Sequence, residues 1–229
     1  MNLGPGWLSP FDQSPYSLRF ELGGDLSNLD DPVRRFTQAY DRARTVADKV
    51  FQASQRLVAV VMWTEEPSDL TGRPRKPGLS SLASIGFDTT QPTLSWEGLP
   101  PWLEGEDPEA VKCFWAAFDL SACRGQQDIL LWCSIADEMP IEPNAAVVSY
   151  LLDPDAAVLL HVYDDRGMHL TGLSAQSVAS VYREFDRWLL EYDRDRMAAA
   201  LMAVLVSLSS PPMACPISTG RSACVFSIS

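Results

Sequence analysis

Apolar and polar residues alternate strictly over 17–22 and stop at Gly23-Gly24, which predicts a strand with one buried face. After Asp31 the period changes. Val33, Phe36, Tyr40, Ala43, Ala47 and Val50 recur three and four residues apart, while Arg34, Arg35, Asp41, Arg42, Asp48 and Lys49 mostly take the opposite face. This is the stripe of a long amphipathic helix, with Asp31 as N-cap and Pro32 at the first helical position. Residues 57–64 form an apolar run rich in β-branched side chains, the pattern of a central strand. Residues 65–78, with three prolines and two glycines, read as a loop, in which Arg73, Arg75 and Lys76 are solvated charge. A short strand is predicted at 93–97, followed by an acidic, proline-containing loop at 98–108 that carries Trp102.

Residues 111–120 fit either a helix or a buried strand, and 128–135 reads as another buried strand. Segments 146–152 and 156–163 form a hairpin around Asp153-Pro154-Asp155, and a second turn at Asp164-Asp165-Arg166-Gly167 leads into 168–171. Ser174 is the predicted N-cap of a second long helix with Val178, Val181, Phe185, Trp188, Leu189 and Tyr192 on its apolar face. The helix restarts near Asp195 and runs to about Leu208. Beyond Ser209 the chain is rich in serine and proline and has no period. Hairpin connections too short for crossovers predict an α+β fold, a mainly antiparallel sheet packed against two long amphipathic helices. It forms one domain over 1–208 with a tail at 209–229.

Composition narrows the class. Of 229 residues, 46% are hydrophobic and 21% charged, the balance of a globular protein. The longest apolar run, 197–206, is too short to span a bilayer, and residues 1–6 have neither the basic nor the apolar region of a secretory signal. Five cysteines without a Cys-x-x-Cys pair argue for reduced thiols rather than a disulfide framework or a zinc site. A cytoplasmic location without membrane association is therefore expected, and neither a metal nor another cofactor. The net charge is −12, which would repel nucleic acid. It is also uneven: residues 97–155 hold twelve acids against Lys112 and Arg124, while the rest of the chain holds eighteen acids and sixteen bases. Such a stretch either merely keeps the protein soluble or suits a basic protein partner. Its candidate contact residues are Trp102, Glu104, Glu106, Asp107, Glu109, Asp137, Glu138 and Glu142, with Trp96 as a further aromatic anchor.

Three constellations bear on chemistry. His161 and His169 flank Tyr163-Asp164-Asp165-Arg166-Gly167-Met168. A type I turn with a glycine bulge would set Tyr163 opposite His169, with His161 on the same face, whereas a turn tighter by one residue would put the two histidines on opposite faces. Two imidazoles beside two carboxylates form a candidate acid–base or metal site comprising His161, Asp164, Asp165, Arg166 and His169. Cys215 and Arg221, with Ser222 following, have the spacing of a cysteine-phosphatase loop, but only eight residues follow Arg221, too few for the helix that loop requires. Arg19 and Glu21 share a face of the first strand, where Arg19 could orient the turn through Asp164 or Asp165.

Leu18-Arg19-Phe20-Glu21-Leu22-Gly23, the helix carrying Tyr40, Arg42, Ala43 and Arg44, His161-Val162-Tyr163-Asp164-Asp165-Arg166-Gly167-Met168 and Trp188-Leu189-Leu190-Glu191-Tyr192-Asp193-Arg194 together resemble a bacterial family catalogued only as a domain of unknown function. The resemblance covers roughly residues 14–200, with His169 in place of an expected acid. By analogy with small acidic proteins of such families, it implies a non-enzymatic immunity protein that neutralises a toxin by occluding a basic surface. The alternative is a metal-dependent or acid–base enzyme with its site at the second hairpin.

Overall fold

The alternating run at the start of the chain forms β1 (Ser17–Glu21), and the striped segment forms α1 (Pro32–Phe51), twenty residues opened by Pro32. There follow β2 (Val58–Thr64), α2 (Gly78–Ser84), β3 (Leu94–Gly98), β4 (Cys113–Asp119), α3 (Gln126–Ala136), β5 (Val148–Asp153), β6 (Val158–Val162), β7 (Gly167–Gly172), α4 (Ala175–Glu184) and α5 (Arg194–Ser209). The computed structural model describes residues 14–26, 30–64, 78–98 and 112–209, with side chains as far as Met202. The predicted loops at 65–78 and 98–108 fall almost wholly outside these residues, as does the tail after Ser209.

All seven strands join one sheet in the order β1-β7-β6-β5-β2-β4-β3, and every pairing is antiparallel. The fold is therefore α+β, as the hairpin spacing requires. Helices pack on one face, where Phe36, Ala43 and Phe51 of α1 and Leu130 and Ile135 of α3 meet Phe20, Val61, Phe118, Leu151, Leu160 and Leu170 of the sheet. The opposite face carries a second apolar cluster of Val60, Met62, Trp115, Tyr150 and Leu159. β2 lies between β4 and β5 and contributes to both clusters, which explains why its sequence shows almost no polar alternation. The segment 111–120, open between helix and strand, contains β4 (Cys113–Asp119).

Two expectations are corrected. Residues 128–135 are helix, not strand. Within α3, Leu130, Leu131, Cys133, Ser134, Ile135 and Ala136 are all buried, so the helix lacks the polar stripe that would have revealed its period. The second long amphipathic helix does not exist as one element. α4 starts at Ser174, whose side chain caps the N–H of Ser177, but it ends at Glu184. Residues 186–188 and 191–193 are 3₁₀ turns, and between them the backbone is extended. There Leu189 bridges Phe20 of β1, and the Leu190 N–H donates to the Arg19 carbonyl at 2.8 Å. Pairing with the edge of the sheet has overridden helical spacing. Tyr192, expected on the apolar stripe, is 89% exposed. Among the described residues, no helix is long and apolar enough to cross a membrane.

Candidate functional site

The second hairpin and the first strand are direct neighbours. β7 pairs with β1 in the register Arg19 to His169, Phe20 to Met168 and Glu21 to Gly167, and the Leu22 N–H donates to the Arg166 carbonyl at 2.8 Å. The two short motifs thus form one structural unit. Its turn is tighter than the sequence led us to expect. His161, not Tyr163, stands opposite His169, and the Tyr163 N–H closes onto the Gly167 carbonyl at 3.3 Å. The cause is Asp164. Its Oδ1 accepts the backbone N–H groups of Arg166 and Gly167 at 2.7 and 3.2 Å, drawing the loop into three residues. The register moves by an even number, so both histidines keep to one face.

The charges of this turn are largely spent on holding it. Asp164 Oδ2 accepts from Arg166 Nε at 2.6 Å and also from its Nη2, so both carboxylate oxygens are engaged. Asp165 accepts from Arg35 Nε at 2.5 Å, and the two side chains are 2% and 12% exposed. The Arg35 guanidinium also donates to the carbonyl of Leu26, and to that of Gly24 at 3.4 Å. Further along α1, Gln38 donates to the Gly23 carbonyl at 2.6 Å and Arg42 to the Glu21 carbonyl at 3.1 Å. Arg35, Gln38 and Arg42 make one helical stripe that clamps the chain leaving β1. Two glycines give room for this lock. A Cβ at Gly23 would strike the Arg35 guanidinium, and one at Gly167 would strike the Tyr163 hydroxyl and come within 2.8 Å of the Phe20 carbonyl oxygen.

Arg19 does not orient the turn through Asp164 or Asp165. It bonds Asp193 Oδ2 at 3.0 Å and interacts with Tyr163. Burial lowers its pKa, but the hydrogen bonds to Tyr163 and Asp193 outweigh this and raise it overall. Beside it, the sheet carries a ladder of rings. Trp96 stacks on Trp115 at 5.8 Å, Tyr150 lies 6.2 Å from Trp115 and 4.4 Å from His161, and Tyr163 lies 5.1 Å from His169. His161 Nδ1 meets the Ser149 carbonyl at 2.9 Å, and since a carbonyl only accepts, Nδ1 carries the proton. Burial depresses His161 to about 4, against opposing contributions from Ser149 and Asp164. Burial likewise depresses His169 to about 3, reinforced by His161, Arg19 and Arg196. Both imidazoles are neutral at pH 7.

Neutral imidazoles could ligate a metal, and His161 with His169 would be its first two ligands. Among the described residues, no group of three or more His, Cys, Asp or Glu is placed to hold one. The buried thiols are poor nucleophiles, since burial pushes Cys113 up to about 11 and Cys133 up to about 12.

The acidic candidates divide. Trp102, Glu104, Glu106, Asp107 and Glu109 lie outside the described residues, as do Cys215 and Arg221. Asp137, Glu138 and Glu142 sit on the connection from α3 to β5, where Asn144 Nδ2 bonds the Ala136 carbonyl at 3.0 Å and Trp132 Nε1 bonds that of Pro143 at 2.7 Å. Glu138 and Glu142 are exposed, and Glu138 meets Arg166 at 3.3 Å, so this connection lies against the hairpin turn. Arg35 was not among the sequence candidates. A signal was present, for a base in the first turn of a helix opposes the macrodipole and implies a dedicated partner.

Fold and site together define a class: an α+β protein on one antiparallel sheet, with a charge-rich hairpin turn locked by ion pairs. The chain belongs to the family described as a domain of unknown function, DUF3885, which it matches over residues 5–193. No curated protein and no solved structure matches it.

Proposed function

We propose that this protein is a non-enzymatic binding protein of the immunity type, which acts in the bacterial cytoplasm by occluding the basic surface of a toxin. The observation that carries the reading is the charge distribution. Twelve acids against two bases over residues 97–155 would steer and register a cationic partner. The engagement of Asp164, Asp165 and Arg166 within the fold supports it, because these are three of the five residues of the alternative acid–base or metal site, His161 and His169 being the other two. The exposure of Glu138 and Glu142 supports it further. The contact residues are Trp102, Glu104, Glu106, Asp107, Glu109, Asp137, Glu138 and Glu142.

The test is affinity capture from the native cell, followed by kinetic binding measurements with the purified captured protein. The expected partner is basic. It should associate more slowly as salt rises, and more slowly still with Glu104→Lys, Glu106→Lys and Asp107→Lys combined. Tight binding unchanged by those charge reversals, or an acidic partner, overturns the reading.

A further inference from the structure

The two edges of the sheet are finished differently. At β1 the outer edge is covered, with Leu189 bridging Phe20, the Leu190 N–H on the Arg19 carbonyl and the Arg19 N–H directed at Met197 Sδ at 3.3 Å. β3 is the opposite terminal strand, and among the described residues nothing pairs with its outer edge. Leu94 is 60% exposed, Ser95 and Glu97 are exposed, and only Trp96 and Gly98 are partly sheltered. The devices that usually blunt an open edge are largely missing, for the strand contains no proline and no lysine and carries a single charge, Glu97. Yet β3 is firmly held. Its five residues pair with β4 without interruption, and Thr93 donates to the Ala117 carbonyl through both its N–H at 2.8 Å and its hydroxyl at 3.0 Å.

We propose that the outer edge of β3 is a strand-addition site, which takes an extended basic segment of a protein partner. This rests on the binding-protein reading and supplies its mode. Alternate residues of an edge strand turn N–H and C=O outward, and an added strand would satisfy them over about 17 Å. Leu94 and Trp96 share one face and would meet apolar side chains of the incoming strand, while Glu97 on the other face would meet a cation. Charge selects the occupant. A second copy would bring another chain of net charge −12 against this one, whereas a basic segment is attracted.

The test uses the full-length chain with isotope-labelled amides and two synthetic seven-residue peptides, one alternating lysine with valine and one alternating glutamate with valine. The lysine peptide should slow hydrogen exchange at alternate amides of β3 at least tenfold, and the glutamate peptide should not. Of Ser95→Pro and Trp96→Pro, one removes an outward N–H and the other an inward one. The variant that keeps the wild-type melting temperature should abolish the protection. Leu94→Lys, at a site open enough to accept it, should weaken peptide binding at least tenfold. No slowing at β3 with the lysine peptide at saturation, or equal slowing with both peptides, overturns the proposal. So does slowing that grows with protein concentration when no peptide is present, since the occupant is then a second copy. Should β3 stay unprotected while reversal of Glu104, Glu106 and Asp107 still slows partner association, the edge reading falls and the binding-protein reading stands. Protection at β3 by the lysine peptide, with charge reversal leaving partner binding unchanged, supports the edge and sinks the wider reading.

Discussion

Substitution at the Arg35–Asp165 pair tests whether the hairpin turn is architecture or chemistry. The pair is nearly dry, at 12% and 2% exposure, and its 2.5 Å contact is the direct tie between the turn and α1. Taking away one member of a buried pair strands the other charge, at a cost of about 3–5 kcal/mol. Arg35→Ala should lie at the upper end, because it also removes the donors to the Leu26 and Gly24 carbonyls. Asp165→Asn keeps the shape and should lie at the lower end. For a chain of this size each kcal/mol moves the melting temperature by roughly 2–4 °C, so single variants should melt roughly 6–20 °C lower. The double variant should lose less than the sum of the singles, and Arg35→Met with Asp165→Leu should recover much of the loss. Thermal and urea unfolding of the four proteins measures this directly. A melting point within about 2 °C of wild type for Asp165→Asn would refute the reasoning and release that carboxylate for a role in catalysis.

Acidification should act through the histidine pair. His161 and His169 titrate at about 4 and about 3 when folded, below their ordinary 6.5. As pH falls below 6.5 the unfolded chain takes up protons that the folded chain refuses, so stability drops from pH 6.5 down to about 4 for His161 and about 3 for His169. The loss is of order 2 kcal/mol for each histidine between pH 7 and 5. Urea unfolding at both pH values should show a shallower dependence in His161→Gln with His169→Gln, and an equal slope counts against the depressed values. Gly167→Ala, by pressing a methyl group on the Phe20 carbonyl and the Tyr163 hydroxyl, should cost roughly 1–3 kcal/mol in the same assay, while neutrality would show that the turn has slack.

What the sequence revealed follows from where each segment lies. α1 has one dry face and one wet face, so its stripe is plain, and β2, apolar on both faces, reads as a central strand. α3 was hidden because it is buried around most of its girth, and a short helix of that kind has the composition of a strand. The break after Glu184 was hidden for another reason. The apolar residues Phe185, Trp188 and Leu189 do continue helical spacing, but Phe185 stacks on Trp188 at 5.2 Å while Leu189 turns to the edge of β1, and no local pattern announces a long-range bridge. At the site, the two histidines share a face only if the turn changes register by an even number of residues, and both that parity and the exact partner depend on how far Asp164 tightens its own turn. Arg35 was legible only as an anomaly, a base where the helix dipole disfavours one.

The lock between β1 and the second hairpin also bears on where function resides. Gly23, Arg35, Asp164, Asp165 and Gly167 each have a structural reason to be what they are, so the end of β1 and the hairpin turn account for the fold. On the binding-protein reading proposed above, partner choice should fall to exposed positions that the lock leaves free. Glu138 is such a position. Its contact with Arg166 lies in solvent, where an ion pair contributes about 0–1 kcal/mol, so losing it should scarcely affect the fold. Glu142 and, on the outer edge of β3, Leu94 and Glu97 are others among the described residues. The two groups should therefore separate experimentally. Asp164→Ala and Asp165→Ala should lower stability and partner binding together, whereas Glu138→Lys and Glu97→Lys should weaken binding and leave the melting temperature within about 2 °C. Melting curves and partner affinities measured on the same four variants decide the matter. If the lock variants lose binding while remaining fully folded, the hairpin itself touches the partner, and the division between a structural turn and a functional edge is wrong.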